Sequence, residues 1–251
     1  MGDTAEYLAR EYKLSREEVD KFAYESFERA LEAQKSGFLA GEIVPLRSES
    51  FELEGYKPRG IRLSRKVDEF AVDEHIRPSP LEVLAKLRPA FGGVQTGGNS
   101  SAIVDGAAAA LVGSGDYLRS NKLKPLGRIV AGCVIGVPPE NMGIGPVASI
   151  RPLVEMAGLS LDQIDRFEIN EAFGAQCLAV IRELGIDRNK VNVNGGAIAI
   201  GHPIGATGVR LSVTVARELQ RAGLRYGISS ACIGGGQGIA LLIENPDVTV
   251  K

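Results

Sequence analysis

From residue 127 onward, short apolar runs alternate with amphipathic ones, and this alternation constrains the fold more than any other feature. Gly127-Arg-Ile-Val-Ala-Gly-Cys-Val-Ile135 reads as a buried strand. A Pro/Gly loop over 136–146 leads to a helix at 147–157 and a helical turn at 161–164. Residues 167–170 read as a strand, 172–184 as a helix and 191–193 as a strand. A helix over 205–222 carries Leu211, Val215 and Leu219 on one stripe, and 226–233 and 238–243 are two more strands. Strands alternating with helices specify an α/β fold, a sheet with helices on both faces.

The first hundred residues follow a different pattern. Asp3-x-x-Glu6 has the form of a capping box and predicts a short helix to Tyr12. Ser15-Arg-Glu-Glu18 opens a second helix, with Val19, Phe22, Ala23 and Ala30 as its apolar stripe and Gly37 as its stop. Residues 42–46 read as a strand, 47–75 as irregular chain around one short strand, and 81–88 as a helix stopped by Pro89. A Gly/Ser/Asn loop over 91–101 is followed by an acidic cap and an alanine run, 105–112, expected to be a short buried helix or the start of a strand. Boundaries near 104 and 124 divide the chain into 1–103, 104–124 and 125–251.

Composition excludes several classes. At 251 residues the chain can form one large domain or two small ones. A net charge of −2 gives no electrostatic case for nucleic acid or an anionic membrane. No apolar run approaches the roughly 20 residues a spanning helix needs. The acidic, helix-starting N-terminus shows no signal peptide. Cys133, Cys177 and Cys232 have neither staple nor metal spacing. We therefore expect a cytoplasmic protein without a metal, in a reducing compartment.

The chemistry concentrates in glycine-rich segments. His202, one of two histidines, sits in Asn194-Gly-Gly-Ala-Ile-Ala-Ile-Gly-His-Pro-Ile-Gly-Ala-Thr-Gly208, just before a helix. A neutral imidazole there can donate to an oxyanion or shuttle a proton, and glycines let a ligand approach the backbone. A lone histidine in such a turn could equally be a capped core residue; the glycine density and its partners favour chemistry. Cys232 leads into Ile-Gly-Gly-Gly at a strand end. A strand, not a helix, follows, so the turn suits backbone N–H groups around an oxyanion better than a dinucleotide cradle. A tuned cysteine can act as acid or base, whereas an untuned one is a small buried hydrophobe, the reading we give Cys133 and Cys177. Asn170, at a strand end, can position a water or donate to an oxyanion, or simply cap a helix. His75 lies in a charged loop and is read as solvated.

In order and number, these segments resemble the C-terminal three-fifths of a thiolase, the acetyl-CoA acetyltransferase family. Met1-Gly-Asp-Thr-Ala-Glu, Lys86-Leu-Arg-Pro-Ala-Phe91, Gly98-Asn-Ser-Ser, Asp105-Gly-Ala-Ala-Ala, Asn170-Glu-Ala-Phe, the Gly195–Gly208 run and Cys232-Ile-Gly-Gly-Gly carry the match. The resemblance implies a thiolase-like layered αβαβα C-terminal core domain over 125–251. It also implies an α+β loop or lid domain over 1–103 and a returning piece of the N-terminal core domain at 104–124, most of that domain being absent. It gives His202 and a water on Asn170 the oxyanion hole for a thioester enolate, with His202 also activating the nucleophile. Cys232 becomes the acid/base, and the Gly234 N–H half of a second oxyanion hole. Coenzyme A, as substrate and not as a permanent cofactor, is expected on Met1, Arg77, Ala90, Phe91, Ser101, Ala172 and Phe173, with Met142 near the acyl chain. Val104, Gly174, Thr207 and Gln237 depart from the family's commoner residues.

No cysteine here stands in the Cys-x-Ser-Gly-like turn that carries the family's nucleophile. The resemblance therefore implies one subunit of a split, two-chain thiolase, in a heteromer whose partner chain, the N-terminal half, supplies that cysteine. A non-catalytic fragment that binds coenzyme A or serves as a scaffold is the alternative. A ketoacyl synthase shares the fold, but Asn170-Glu-Ala-Phe stands where its second catalytic histidine would be.

Overall fold

Residues 1–64 and 66–248 are described by a computed structural model. Two helices open the chain, α1 (Gly2–Glu11) and α2 (Arg16–Lys35). The box before α2 forms as expected: the Glu18 N–H donates to the Ser15 hydroxyl (3.2 Å) and the Ser15 N–H to the Glu18 carboxylate (2.8 Å). The box assigned to Asp3 does not form. Asp3 lies inside the first turn of α1, whose N-cap is Met1. Glu6 instead turns inward and accepts from the Val94 and Gln95 N–H groups (2.9 and 2.8 Å).

The segment after α2 holds a 3-10 turn (Leu39–Gly41) and then β1 (Leu46–Arg47), β2 (Glu49–Phe51), β3 (Arg59–Ile61) and β4 (Glu69–Phe70). β1 pairs with β4 and β2 with β3, both antiparallel, giving two small ladders where a strand over 42–46 and one short strand after it were expected; residues 42–45 are not strand, and pairing begins only at Leu46. The helix expected over 81–88 is only α3 (Leu81–Leu84). Arg16 takes the carbonyls of Leu84 and Leu87 (2.7 and 3.0 Å), so the helix ends on a side chain from α2. The alanine run 105–112 forms neither a helix nor a strand, and Leu111 and Val112 stand exposed. The short helix α4 (Gly115–Ser120) follows, capped by Ser114.

Beyond it the chain runs β5 (Arg128–Gly136), α5 (Gly145–Met156), β6 (Arg166–Ile169), α6 (Gly174–Leu184), α7 (Ala197–Ile200), α8 (Thr207–Ala222), β7 (Tyr226–Ile233) and β8 (Gln237–Glu244). The sheet order is β5-β8-β7-β6; β6 and β7 are parallel and the other pairs antiparallel. The strand expected at 191–193 is a single parallel bridge from Val191 to Phe167, because Asn192 turns the chain with φ +48°. α8 covers one face, with Val215 and Leu219 over Gly227 and Ser212 bonded to Ser229 (2.9 Å). On the other face Ile150, Leu153 and Val154 of α5 join Phe167, Ile228 and Leu242 in the main core. Leu8, Ala9 and Val19 pack from outside onto Ala175 and Ala179 of α6. Helices on both faces are as expected. Of the αβαβα layering, the described residues contain one four-stranded core sheet.

The start of α5 lies against β8 so closely that a Cβ on Gly238 would sit 1.9 Å from the Gly145 carbonyl oxygen. Backbone faces backbone there, so neither side can yield. Gly238→Ala should destabilise by about 3 kcal/mol, at the upper end of overpacking costs. Gly208→Ala, with open space around it on α8, should be neutral or stabilising. Urea denaturation of both variants checks the contrast.

Candidate active site

Asn170 directly follows β6, and its N–H donates to the Ser230 carbonyl (2.9 Å), extending the parallel pairing with β7. Cys232 lies two residues further along β7. The carboxamide and the thiol therefore stand at the C-terminal ends of adjacent parallel strands, where α/β folds place their ligands. Ala172 and Phe173 turn back over this edge and pack with Cys232, Met142 and Ala5 in one buried cluster. His202 arrives from α7. Gly201 before it has φ +106°, and the Val104 methyls fill the space a Cβ would need. The His202 N–H donates to the Ala102 carbonyl (2.9 Å), and the Ser101 N–H and hydroxyl both donate to the Ala172 carbonyl (3.1 Å each). Three distant segments are thus stitched together, and the Asn170 Nδ2 comes to 3.3 Å from His202 Nε2.

One imidazole tautomer satisfies all of these hydrogen bonds at once. The Thr207 hydroxyl proton goes to the Pro203 carbonyl (3.0 Å), so toward His202 Nδ1, at 2.7 Å, Thr207 can only accept. Nδ1 therefore carries the proton, and Nε2 presents a lone pair to the Asn170 amide. Burial, and then the positive Arg210, push the His202 pKa below the ordinary 6.5, so the ring is neutral at pH 7. Burial pushes the Cys232 thiol up to about 11, so it rests protonated. Thr207→Val keeps the shape and removes the acceptor. Nitrogen-15 spectra should then show His202 shift from the Nδ1–H form toward a mixture of tautomers.

Several residues expected to bind coenzyme A gather at this edge. Met142, Ala172 and Phe173 surround Cys232, and the Phe91 ring meets Phe173 edge-on at 6.2 Å while lying on Gly2, next to the exposed Met1. The neighbouring Ala90 donates its N–H to the Gln95 carbonyl (2.8 Å). Gly234 is exposed in the turn after Cys232, with nothing within 4 Å of where a Cβ would lie. Arg77 does not join this group; its guanidinium lies 5.3 Å over the Phe27 ring, beside His75. His75 is not simply solvated as expected: its ring tilts onto Phe27 at 6.2 Å, and burial, then Arg77, lower its pKa. A cavity of about 470 Å³ lies elsewhere, lined by Ser36, Phe38, Arg217 and Arg221 among others. Among the described residues no helix is long and apolar enough to cross a membrane, and no cluster of His, Cys, Asp and Glu could hold a metal ion.

Two buried ionic features went unread in the sequence. Glu171, with no exposed surface, is one. The other is Arg210, one turn after Thr207, whose guanidinium lies 3.5 Å from the buried Glu168. Burial raises Glu168 to about 8; Arg210 opposes the shift, and Glu42, Glu171 and Glu218 add to it. A carboxyl whose pKa is raised on folding stabilises fully below its unfolded value and loses that contribution as pH rises through the folded one. Wild type should therefore lose stability between pH 5 and 8.5 relative to Glu168→Gln, by more than about 1 kcal/mol, since one pKa unit is about 1.4 kcal/mol. Urea melts at the two pH values measure the difference.

The fold and this edge define a thiolase-type α/β protein. Residues 123–245 match the family model for the thiolase C-terminal domain, and residues 1–116 that for the thiolase N-terminal domain. The chain is 44% identical over 248 residues to human mitochondrial 3-ketoacyl-CoA thiolase, covering 98% of this chain and 59% of that protein. It is 47% identical over 248 residues to the acetyl-CoA acetyltransferase of Shinella zoogloeoides, covering 98% of this chain and 60% of that one. The crystal structure of the human mitochondrial enzyme in complex with CoA superposes with a TM-score of 0.89 at 44% identity, over 98% of this chain and 58% of that one. The chain belongs to the thiolase family. It spans about three-fifths of the length of these relatives. One expectation needs correction: residues 1–116 match the N-terminal-domain model, so both domains are represented and the N-terminal one cannot be called absent. Residues 1–103, expected to form a lid domain, and the segment at 104–116 both fall within this match.

Proposed function

We propose that this chain forms the acid/base and enolate-stabilising side of an acyl-CoA acyltransferase site, catalysing reversible thiolysis of 3-ketoacyl-CoA and Claisen condensation of acetyl-CoA. The contact between Asn170 and His202, on the sheet edge that also carries the protonated Cys232 thiol, carries the reading. In the thiolytic direction, the lone pair on His202 Nε2 takes the proton of a nucleophilic cysteine, whose sulfur attacks the 3-keto carbon. The C2–C3 bond breaks and its electrons form the enolate of acetyl-CoA. Nε2–H, now a donor, and a water held by Asn170 stabilise the enolate oxygen. Cys232 protonates the enolate carbon. Its thiolate then takes the proton of an incoming coenzyme A thiol, which attacks the acyl-enzyme while the Gly234 N–H donates to the oxyanion. The nucleophile leaves as a thiolate and recovers its proton from His202. Coenzyme A is substrate throughout, held against Met1, Phe91, Ser101, Ala172 and Phe173, with Met142 near the acyl chain.

The nucleophile, in this proposal, comes from a separate N-terminal thiolase chain in a heteromer, within a reducing cytoplasm. Cys177 is wholly buried in α6 and packs in the main core, and Cys133 packs against that core from mid-β5; neither belongs to the cluster around Cys232. Ile103, Leu111, Val112, Ile129 and Val134 are exposed, a surface that favours a covering partner. The test compares acetoacetyl-CoA thiolysis by chain 1–251 alone and after assembly with a chain bearing the nucleophile. Alone it should be inactive, and in the assembly Cys232→Ala or His202→Ala should lower kcat on the order of 10²–10⁴-fold while assembly persists. Turnover by the isolated chain would sink the two-chain reading; indifference of the assembly to both variants would sink the catalytic one.

A further inference from the structure

Glu171 has no exposed surface, and each of its hydrogen-bond partners is a donor. Its Oε1 accepts from Asn192 Nδ2 (2.8 Å), and its Oε2 from the Ser26 hydroxyl (2.7 Å) and the Ile198 N–H (3.2 Å). The Ser26 oxygen in turn accepts from the Gly196 N–H (3.0 Å). Asn192 cannot turn its amide over: its Oδ1 accepts from the Ile169 N–H and its Nδ2 also donates to the Ile169 carbonyl (2.8 Å each). A Cβ on Gly196 would lie 2.1 Å from the Glu171 carboxyl carbon, so the glycine is what lets this loop close on the acid. The carboxylate therefore joins the end of β6, the inner face of α2, and the start of α7.

These partners are the two approaches to the reacting pair. Asn170 precedes Glu171 in the chain, and Gly196 and Ile198 lie six and four residues before His202. We infer that Glu171 is a positioning residue that sets the distance between the Asn170 amide and His202 Nε2. The inference rests on the role proposed above for that pair, but the contact itself can be measured without any turnover.

Glutamine cannot take over this position. Its NH2 would face either the fixed Asn192 Nδ2 or the Ile198 N–H, donor against donor, whichever way it turned. The closing experiment uses the full chain with nitrogen-15 histidine; His75 serves as internal reference. Asn170→Ala gives the His202 Nε2 signal without its amide donor. Glu171→Gln should move that signal at least halfway toward the Asn170→Ala position, and Ser26→Ala, which keeps the carboxylate and cuts one link, should move it part of the way. In the active assembly, Glu171→Gln should lower kcat roughly 10- to 100-fold with KM changed less than twofold, the size of effect expected of an ångström-scale misplacement. In an Asn170→Ala background it should lower kcat no further, because its effect passes through that residue. A His202 signal that stays at its wild-type position in folded Glu171→Gln overturns the inference; if that variant does not fold, an unmoved signal in Ser26→Ala does. An additive kcat loss with Asn170→Ala also overturns it. Loss of the contact without loss of turnover would leave the positioning role standing and contradict the catalytic reading instead.

Discussion

The parallel pairing of β6 with β7, with Ile169 opposite Ser230, puts a carboxamide and a thiol on one edge. The register is held from both faces. Phe167, Ile169 and Ile228 point into the main core, while Glu168 and Ser229 point toward α8. A slip of one residue would exchange these sets, burying Ser229 in the apolar core and moving Cys232 off the edge it shares with Asn170. Because the side-chain period is two, the packing of the core and the placing of the thiol follow from the same constraint. The sheet ends at β6 apart from the Val191 bridge, and the turn at Asn192 sends the chain over the strand ends toward His202.

Burial works in opposite senses on the two groups at that edge. It disfavours the charged form of each, which lowers the imidazole and raises the thiol. The resting state is thus a neutral imidazole, its Nε2 facing the Asn170 amide, and a neutral thiol on the same sheet edge. Arg210 reinforces the neutrality of His202 by like charge and is itself held by the largely buried Glu168. Glu168 offsets that positive charge only once it ionises, and burial raises its pKa to about 8. The cost falls on Glu168, whose pKa burial still raises despite the neighbouring cation.

How much of this was legible in the sequence depended on how local each cause was. The Ser15 box, the Gly37 stop, and the strands and helices from β5 to β8, apart from the strand expected at 191–193 and the missed α7, depend on residues a few positions apart, and these features were read correctly. Asp3 was misread because the pattern alone cannot show that Glu6 would be taken by the Val94 and Gln95 amides, far along the chain. α3 ends early because Arg16, 68 residues before Leu84, captures its carbonyl. The role of Glu171 was hidden for the same reason: its partners Ser26, Asn192 and Ile198 come from three separate segments. Its only local sign was a charged residue in a stretch whose neighbours were all to be buried. Short helix α7 lacked the length for its period to show.

The exposed apolar residues and the one-sided active edge follow from one arrangement. β5 is an edge strand with no charged residue from Ile129 to Gly136, and Ile129 and Val134 face outward. An edge of that kind invites pairing or covering unless something guards it, and no lysine or proline stands on this one. The run 102–114 passes the His202 loop, where Val104 packs on Gly201 and Gly106 on Pro203, and then presents Leu111 and Val112 outward. It touches His202 at one end and carries exposed apolar side chains at the other. Any polypeptide that buried Leu111 and Val112 would be tied, through ten residues of extended chain, to the backbone that holds His202 in place. Under the two-chain reading proposed above, covering that surface and completing the site are coupled by the covalent chain itself.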